Sequence, residues 1–202
     1  VIFEVNDMAT TAKEARPAMP QLPTPEEFAL WSGLEDRQED LALAMLAVIR
    51  TLRIRQPYPH NINGPLVMAH LMAIQFAKNL GMLPKLVEFD VRTMEPITKR
   101  LGQMVRQSGN PEYALIGLFE RTGCHYHLVL DTKIEPGRRT WKSPFRDDLA
   151  AGRRIGQFDL TEREVHEQWT VPRLLGYANT MGVKLRVSPW QDDGIITCEL
   201  ID

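Results

Sequence analysis

Long apolar runs are missing from this chain. The longest, from Leu41 to Ile49, has nine residues, about half of what a membrane-spanning helix needs, so no membrane partner is expected. Cysteine is scarce. Cys124 and Cys198 are too few for a disulfide framework and lack zinc-ligand spacing. A large charge of one sign is missing too. The formal net charge is −2, so the chain as a whole has no electrostatic pull toward nucleic acid or an anionic surface. There is no phosphate-binding glycine loop, no nucleophile elbow, no HExxH and no CxxC. That leaves no positive ground for naming a reaction or a cofactor. The first residues carry Glu4 and Asp7 and no signal-peptide pattern, so the expected setting is the cytoplasm or an assembled particle.

What remains is ordinary for a globular domain. The 202 residues are 44% hydrophobic and 25% charged, enough for one core. Three parts are expected: an extended arm over 1–24, a helical segment over 25–84, and a sheet domain over 85–202 that forms one compact unit with the helices.

The stretch 15–25, at the end of the arm, holds Pro17, Pro20, Pro23 and Pro25 with no helical or strand period. Such a segment is extended, and only a surface outside itself can hold it. A neighbouring subunit is the expected holder, with Met19 and Leu22 as its apolar anchors.

Thr24-Pro25-Glu26-Glu27 reads as a capping box opening a short helix. A longer helix is expected over 33–54, where Leu41, Met45, Val48 and Leu52 recur at helical spacing. The next runs from Asn63-Gly64-Pro65 to Leu80, with Gly81 as its stop. Both helices are apolar nearly all round. Two such helices exceed what one small core absorbs, so they either pack on each other and on a sheet or also face another subunit.

From residue 86 the pattern alternates. Val87, Phe89 and Val91 fall on one face and Glu88, Asp90 and Arg92 on the other, which predicts a strand. A helix over 94–108 follows, closed by Gly109. Strands are predicted at 113–120, 124–131, 183–187 and 194–201. A helix over 161–181 opens on the capping box Thr161-Glu162-Arg163-Glu164 and kinks at Thr170-Val171-Pro172. Its cadence faintly resembles a helix-turn-helix, with Arg173 and Asn179 as the possible base readers. The order is strand, helix, strand, strand, helix, strand, strand. This predicts an α+β fold in which the N-terminal helical pair packs on a mixed sheet with split-βαβ (ferredoxin-like) order and an extra C-terminal strand.

Two clusters carry chemistry. His125, His127 and Asp131 share one face of a predicted strand and are the candidate metal ligands. Between Lys133 and Arg154, a predicted long loop interleaves Arg138, Arg139, Lys142 and Arg146 with Trp141 and Phe145. Basic residues with aromatics suit nucleic acid or an acidic protein surface. The first 60 residues hold nine acids and six bases, so a second copy of this chain could supply such a surface.

The sequence therefore points to a non-enzymatic structural or assembly subunit of a larger particle, of viral or phage type as one setting. It would contact other subunits through the arm and the basic loop, as a homo-oligomer or within the particle. The alternatives are a nucleic-acid-binding regulator using 133–154 or 161–181, and a metal-dependent enzyme at His125 and His127.

Overall fold

A computed structural model of the chain describes residues 24–26, 36–52, 60–121 and 133–201. Four helices come first: α1 (Gln38–Leu52), α2 (His60–Asn79), α3 (Leu83–Ser108) and α4 (Glu112–Phe119). The hairpin β1 (Lys133–Glu135) and β2 (Arg138–Lys142) follows, then α5 (Arg146–Arg154). A last helical stretch comprises α6 (Glu162–Val165), a π segment (His166–Thr170) and α7 (Val171–Met181), before β3 (Lys184–Val187) and β4 (Ile195–Ile201). No helix among the described residues is long and apolar enough to cross a membrane.

The fold is α+β, and its sheet is antiparallel throughout, in the order β1-β2-β4-β3. One sheet face carries Arg139, Trp141, Leu185, Ile196 and Cys198, all buried. Helices α3, α4 and α7 cover it and complete one core. The other face is mostly polar, with Ile195 and Ile201 exposed at the ends of β4. Thr140 and Thr197 hydroxyls meet across β2 and β4 at 3.1 Å, and Arg186 donates to Glu199 at 2.8 Å. A second core lies beside the first, where Val67, Leu71 and Ile74 of α2 meet Leu83, Phe145, Leu149, Phe158, Leu160, Val165 and Trp169.

The split-βαβ order expected from the sequence is not found among the described residues. Residues 86–92 are helical, part of the 26-residue α3. Their alternation is accidental: Val87 and Val91 lean inward four residues apart, while Phe89 is exposed. Pro96 lies inside α3. The strand expected at 113–120 is also a helix, α4, with six buried residues among its eight. A short apolar run has no period by which to tell a buried helix from a buried strand. The strand expected at 124–131 lies outside the described residues. Among the described residues the N-terminal helices do not cover the second sheet face, which is mostly polar.

Other expectations hold. The last two strands are present. Gly109 closes α3 at φ +68 and Gly81 follows α2 at φ +67, left-handed values that favour glycine. The Thr161 capping box is formed in both directions. The kink before Pro172 is the π segment, in which the Val171 N–H reaches back to the His166 carbonyl. Proline lacks an N–H and crowds the preceding turn, and a widened turn accommodates it. The stretch is continuous, so the helix-turn-helix cadence of 161–181 is absent.

Gly102 and Gly176 set the close approach of α3 to α7. A Cβ on Gly102 would meet the Met181 carbonyl oxygen at 2.5 Å, and one on Gly176 would meet a Val91 methyl at 2.5 Å. At Gly102 the obstacle is backbone, which cannot swing aside.

Candidate functional site

The basic stretch 133–154 is not a loop. It forms the β1–β2 hairpin and α5, and this redistributes the partner-binding candidates. Pro136 and Gly137 make the hairpin turn, with Gly137 at φ +69. Strand alternation from that turn drives Arg139 and Trp141 inward and leaves Arg138 and Lys142 outside. Trp141 packs on Phe119, ring centroids 5.0 Å apart, and Phe145 belongs to the second core. Neither ring is placed to stack on a base or seat against a partner.

Arg139 is 1% exposed and every nitrogen of its guanidinium is engaged. Its Nε donates to Glu120 at 2.5 Å and one terminal nitrogen to Glu112 at 2.6 Å. The other donates to the Glu135 and Arg138 carbonyls at 2.8 and 2.9 Å. The second Glu112 oxygen accepts from the Gly137 N–H at 2.7 Å. This network clamps both ends of α4 to the hairpin. Burial raises the Glu120 carboxyl above its ordinary pKa, and the Arg139 charge offsets part of that rise. Arg146 is drawn to Glu162 and to the Asp192 carbonyl, each at 3.1 Å. Of the basic candidates, only Arg138 and Lys142 stand as exposed surface charges. In α7, Arg173 is buried and Asn179 exposed, so the two possible base readers do not share a surface.

The catalytic prospects are equally limited. His125, His127 and Asp131 lie outside the described residues, as do Met19 and Leu22. Among the described residues, no group of His, Cys, Asp and Glu side chains is arranged to hold a metal ion. Cys198 is buried, which pushes its thiol up to about 12, so it stays protonated and unreactive.

One titratable cluster escaped the sequence reading. His70 of α2, Asp90 of α3, and Arg173 and Tyr177 of α7 converge where the three helices meet. The Tyr177 hydroxyl donates to Asp90. The Arg173 guanidinium lies 4.8 Å from the Trp169 ring centroid and 5.8 Å from that of Tyr177. His70 meets the edge of Trp169 at 6.3 Å. Burial first and the Arg173 charge second lower the His70 pKa to about 4, against the opposing pull of Asp90. His70 is therefore neutral at pH 7. His166, in the π segment, is lowered by burial as well, and its Nε2 lies 2.9 Å from the Ser188 carbonyl oxygen. The cluster staples α2, α3 and α7 together. Its members are scattered from His70 to Tyr177, and the hydrogen-bonded pair Asp90 and Tyr177 alone lie 87 residues apart, so no local motif announces it.

The exposed apolar surface lies elsewhere. Ten of the fifteen large hydrophobic residues exposed among the described residues fall between Leu41 and Ile97, on α1, α2, α3 and the turn between α2 and α3. In α2 the buried positions are Val67, Leu71, Ile74 and Ala77. The outward positions are Pro65, Ala69, Met72, Ala73 and Phe76, with Leu80 just beyond the helix end. The outward stripe is as apolar as the inward one, with Met72 60% and Phe76 67% exposed. Helix α1 goes further: every side chain described from Asp36 to Ala47 is exposed, including Leu41, Leu43, Met45 and Leu46. No other described element packs broadly against α1. Among the described residues these apolar side chains have no cover.

Comparison of the chain with protein-family models, with curated proteins and with solved structures finds no match.

Proposed function

We propose that this chain is a non-enzymatic assembly subunit, one component of a larger protein particle, joined to its neighbours through its N-terminal helices. The observation that carries this reading is the outward stripe of α2, apolar over four turns from Pro65 to Leu80. A surface helix ordinarily shows one apolar and one polar face. Two apolar faces on one helix imply two apolar neighbours, and the described residues of the chain supply only the inner one. Helix α1 adds to this. A helix of 15 residues is marginal in water without tertiary packing, and its described side chains find none.

The proline-rich segment 1–24, with Met19 and Leu22, is a second expected contact on sequence grounds. The nucleic-acid alternative loses support with the burial of Trp141, Phe145 and Arg139.

The test is the mass of the full chain in solution, by light scattering coupled to size exclusion over a wide concentration range. Self-association beyond the monomer is expected, weakened when residues 1–23 are deleted while the far-ultraviolet circular dichroism of the remainder is kept. A chain that stays monomeric throughout overturns the reading.

A further inference from the structure

We propose that the meeting point of α2, α3 and α7 is an acid-sensitive joint: a proton taken up by His70 sets a second cation beside Arg173 and loosens α2, while α7 and the sheet stay in place. The joint lies within one chain and does not depend on assembly.

Four groups face His70. Asp90 comes from α3, Arg173 and Tyr177 from α7, and Trp169 from the π segment. Arg173 brings one cation, 4% exposed, and Asp90 brings one carboxylate, which already accepts the Tyr177 hydroxyl. Arg173 lies over the rings of Trp169 and Tyr177, and His70 meets the edge of the same Trp169 ring. Guanidinium and imidazole therefore share a neighbour. A neutral imidazole adds no charge to this place. An imidazolium leaves two cations against one carboxylate where water screens them poorly. The lowering of His70 to about 4, by burial and then by Arg173, agrees with a joint that closes around the neutral ring.

The packing decides which element yields. Helix α7 is fixed to α3, because Gly102 and Gly176 bring the two helices close, and Leu174, Tyr177, Ala178 and Met181 belong to the core under the sheet. Helix α2 has no residue in that core. Its buried side chains, Val67, Leu71, Ile74 and Ala77, enter the second core. The cheapest relief for a charged His70 is to move α2 and bring the ring to water.

The other ties of α2 hold their charge in the same pH range. Further along the helix Lys78 pairs with Asp159 and Glu164, both at 3.0 Å. Hydrogen bonds from Gln75 and Lys78 keep Asp159 below its ordinary value. Burial pulls Glu164 upward, but bonds from Lys78 and Thr161 outweigh it, and it too is lowered. Both stay ionised at pH 5. His70 differs, because an opened α2 returns it to 6.5. Each unit of pH between 6.5 and 4 then favours the open form by up to about tenfold.

The experiment is hydrogen exchange on the full chain at pH 7.5 and pH 5, corrected for the intrinsic pH dependence of exchange. Opening of the α2 amides over 67–79 is expected to rise at least about tenfold, with α7 and β4 unchanged. His70→Gln is expected to abolish the rise. If that variant loses protection at every pH, the slope against pH remains the readout, and a flat slope supports the joint. The imidazole resonance missing from the His70→Gln spectrum identifies His70 in the wild type, where it is expected to titrate near 4. Protection of α2 that does not change with pH overturns the proposal. So does a rise shared equally by α7 and β4, a rise kept in His70→Gln, which would pass it to Asp159, Glu164 or His166, or a His70 that titrates near 6.5 in the folded chain.

Discussion

Helix α1 and the second core are built from the same residue types with opposite fates. Leu41, Leu43, Met45 and Leu46 stand in solvent on α1. Leu71, Leu83, Leu149 and Leu160 are closed inside the core formed by α2, α3, α5 and the 158–169 segment. The contrast reaches into a single helix, since α2 buries Leu71 and Ile74 and exposes Met72 and Phe76. An apolar side chain is buried only if a complementary surface arrives. In the C-terminal body α5, α6 and the π segment supply that surface. For α1 and the outer α2 face nothing in the same chain does so among the described residues. Composition cannot register the difference, because the transfer free energy of leucine is the same in both places.

The charged residues teach the converse. Arg139 is among the most buried side chains, 1% exposed, while leucines on α1 are open. Burial of a guanidinium is tolerated here because two carboxylates and two carbonyls surround it.

The sharpest break in the comparison is a pair of identical substitutions. Leu71→Asp places an unpaired carboxylate in a fully closed site and should cost more than about 4 kcal/mol, enough to unfold the chain. Leu46→Asp places the same group in solvent on α1 and should change monomer stability by less than about 0.5 kcal/mol. Chemical denaturation of both variants at low protein concentration measures the difference. Equal losses would show that α1 belongs to the core.

The next effect tests the buried ion network. Arg139→Ala leaves Glu112 and Glu120 without their cation and should cost about 3–5 kcal/mol. The neighbouring outward-facing Arg138→Ala should cost no more than about 0.5 kcal/mol. Thermal unfolding of the two variants separates an arginine that holds α4 to the hairpin from one that only borders the polar sheet face. Similar losses would erase that distinction.

The smallest effect sits on the boundary between inner and outer α2. His70 is lowered to about 4 in the folded chain, against an ordinary value of 6.5. Below pH 6.5 the unfolded chain takes up that proton before the folded chain does. The His70 contribution is therefore complete above about pH 6.5 and is lost as pH falls toward 4. The loss approaches about 3 kcal/mol at most, and about 2 once screening at this partly open position is allowed for. His70→Gln should flatten the melting-temperature profile between pH 7 and 4.5 relative to wild type. An unchanged profile would mean that His166, Glu120 and the other carboxylates account for the whole acid response.

Features read correctly from the sequence share one property: their physics is local. The Thr161 capping box, the glycine stops at Gly81 and Gly109, the widened turn before Pro172 and the last two strands each depend on residues within a few positions of one another. The misread features needed a partner far along the chain. Residues 86–92 carry both a period of two and a period near 3.6, and α7 chose the second by packing on Val91 and on Gly102. Residues 113–120 have no period at all, and they became a helix because Arg139, in the following hairpin, anchors Glu112 and Glu120. The β2 strand was hidden because its inward positions are Arg139 and Trp141, and an arginine reads as surface until its carboxylates are in place.

By itself the sequence determined single caps and stops, at Thr161, Gly81 and Gly109, that the chain has an α+β composition of elements, and that its N-terminal helices carry more apolar surface than one core can use. Tertiary structure decided which apolar faces close, which arginine goes inside, and which helices bring His70, Asp90, Arg173 and Tyr177 together. The reason is one of range. Backbone caps, turns and periodicity are set by neighbours in sequence, whereas burial is a contact between surfaces, and a surface has no partner until the chain has folded.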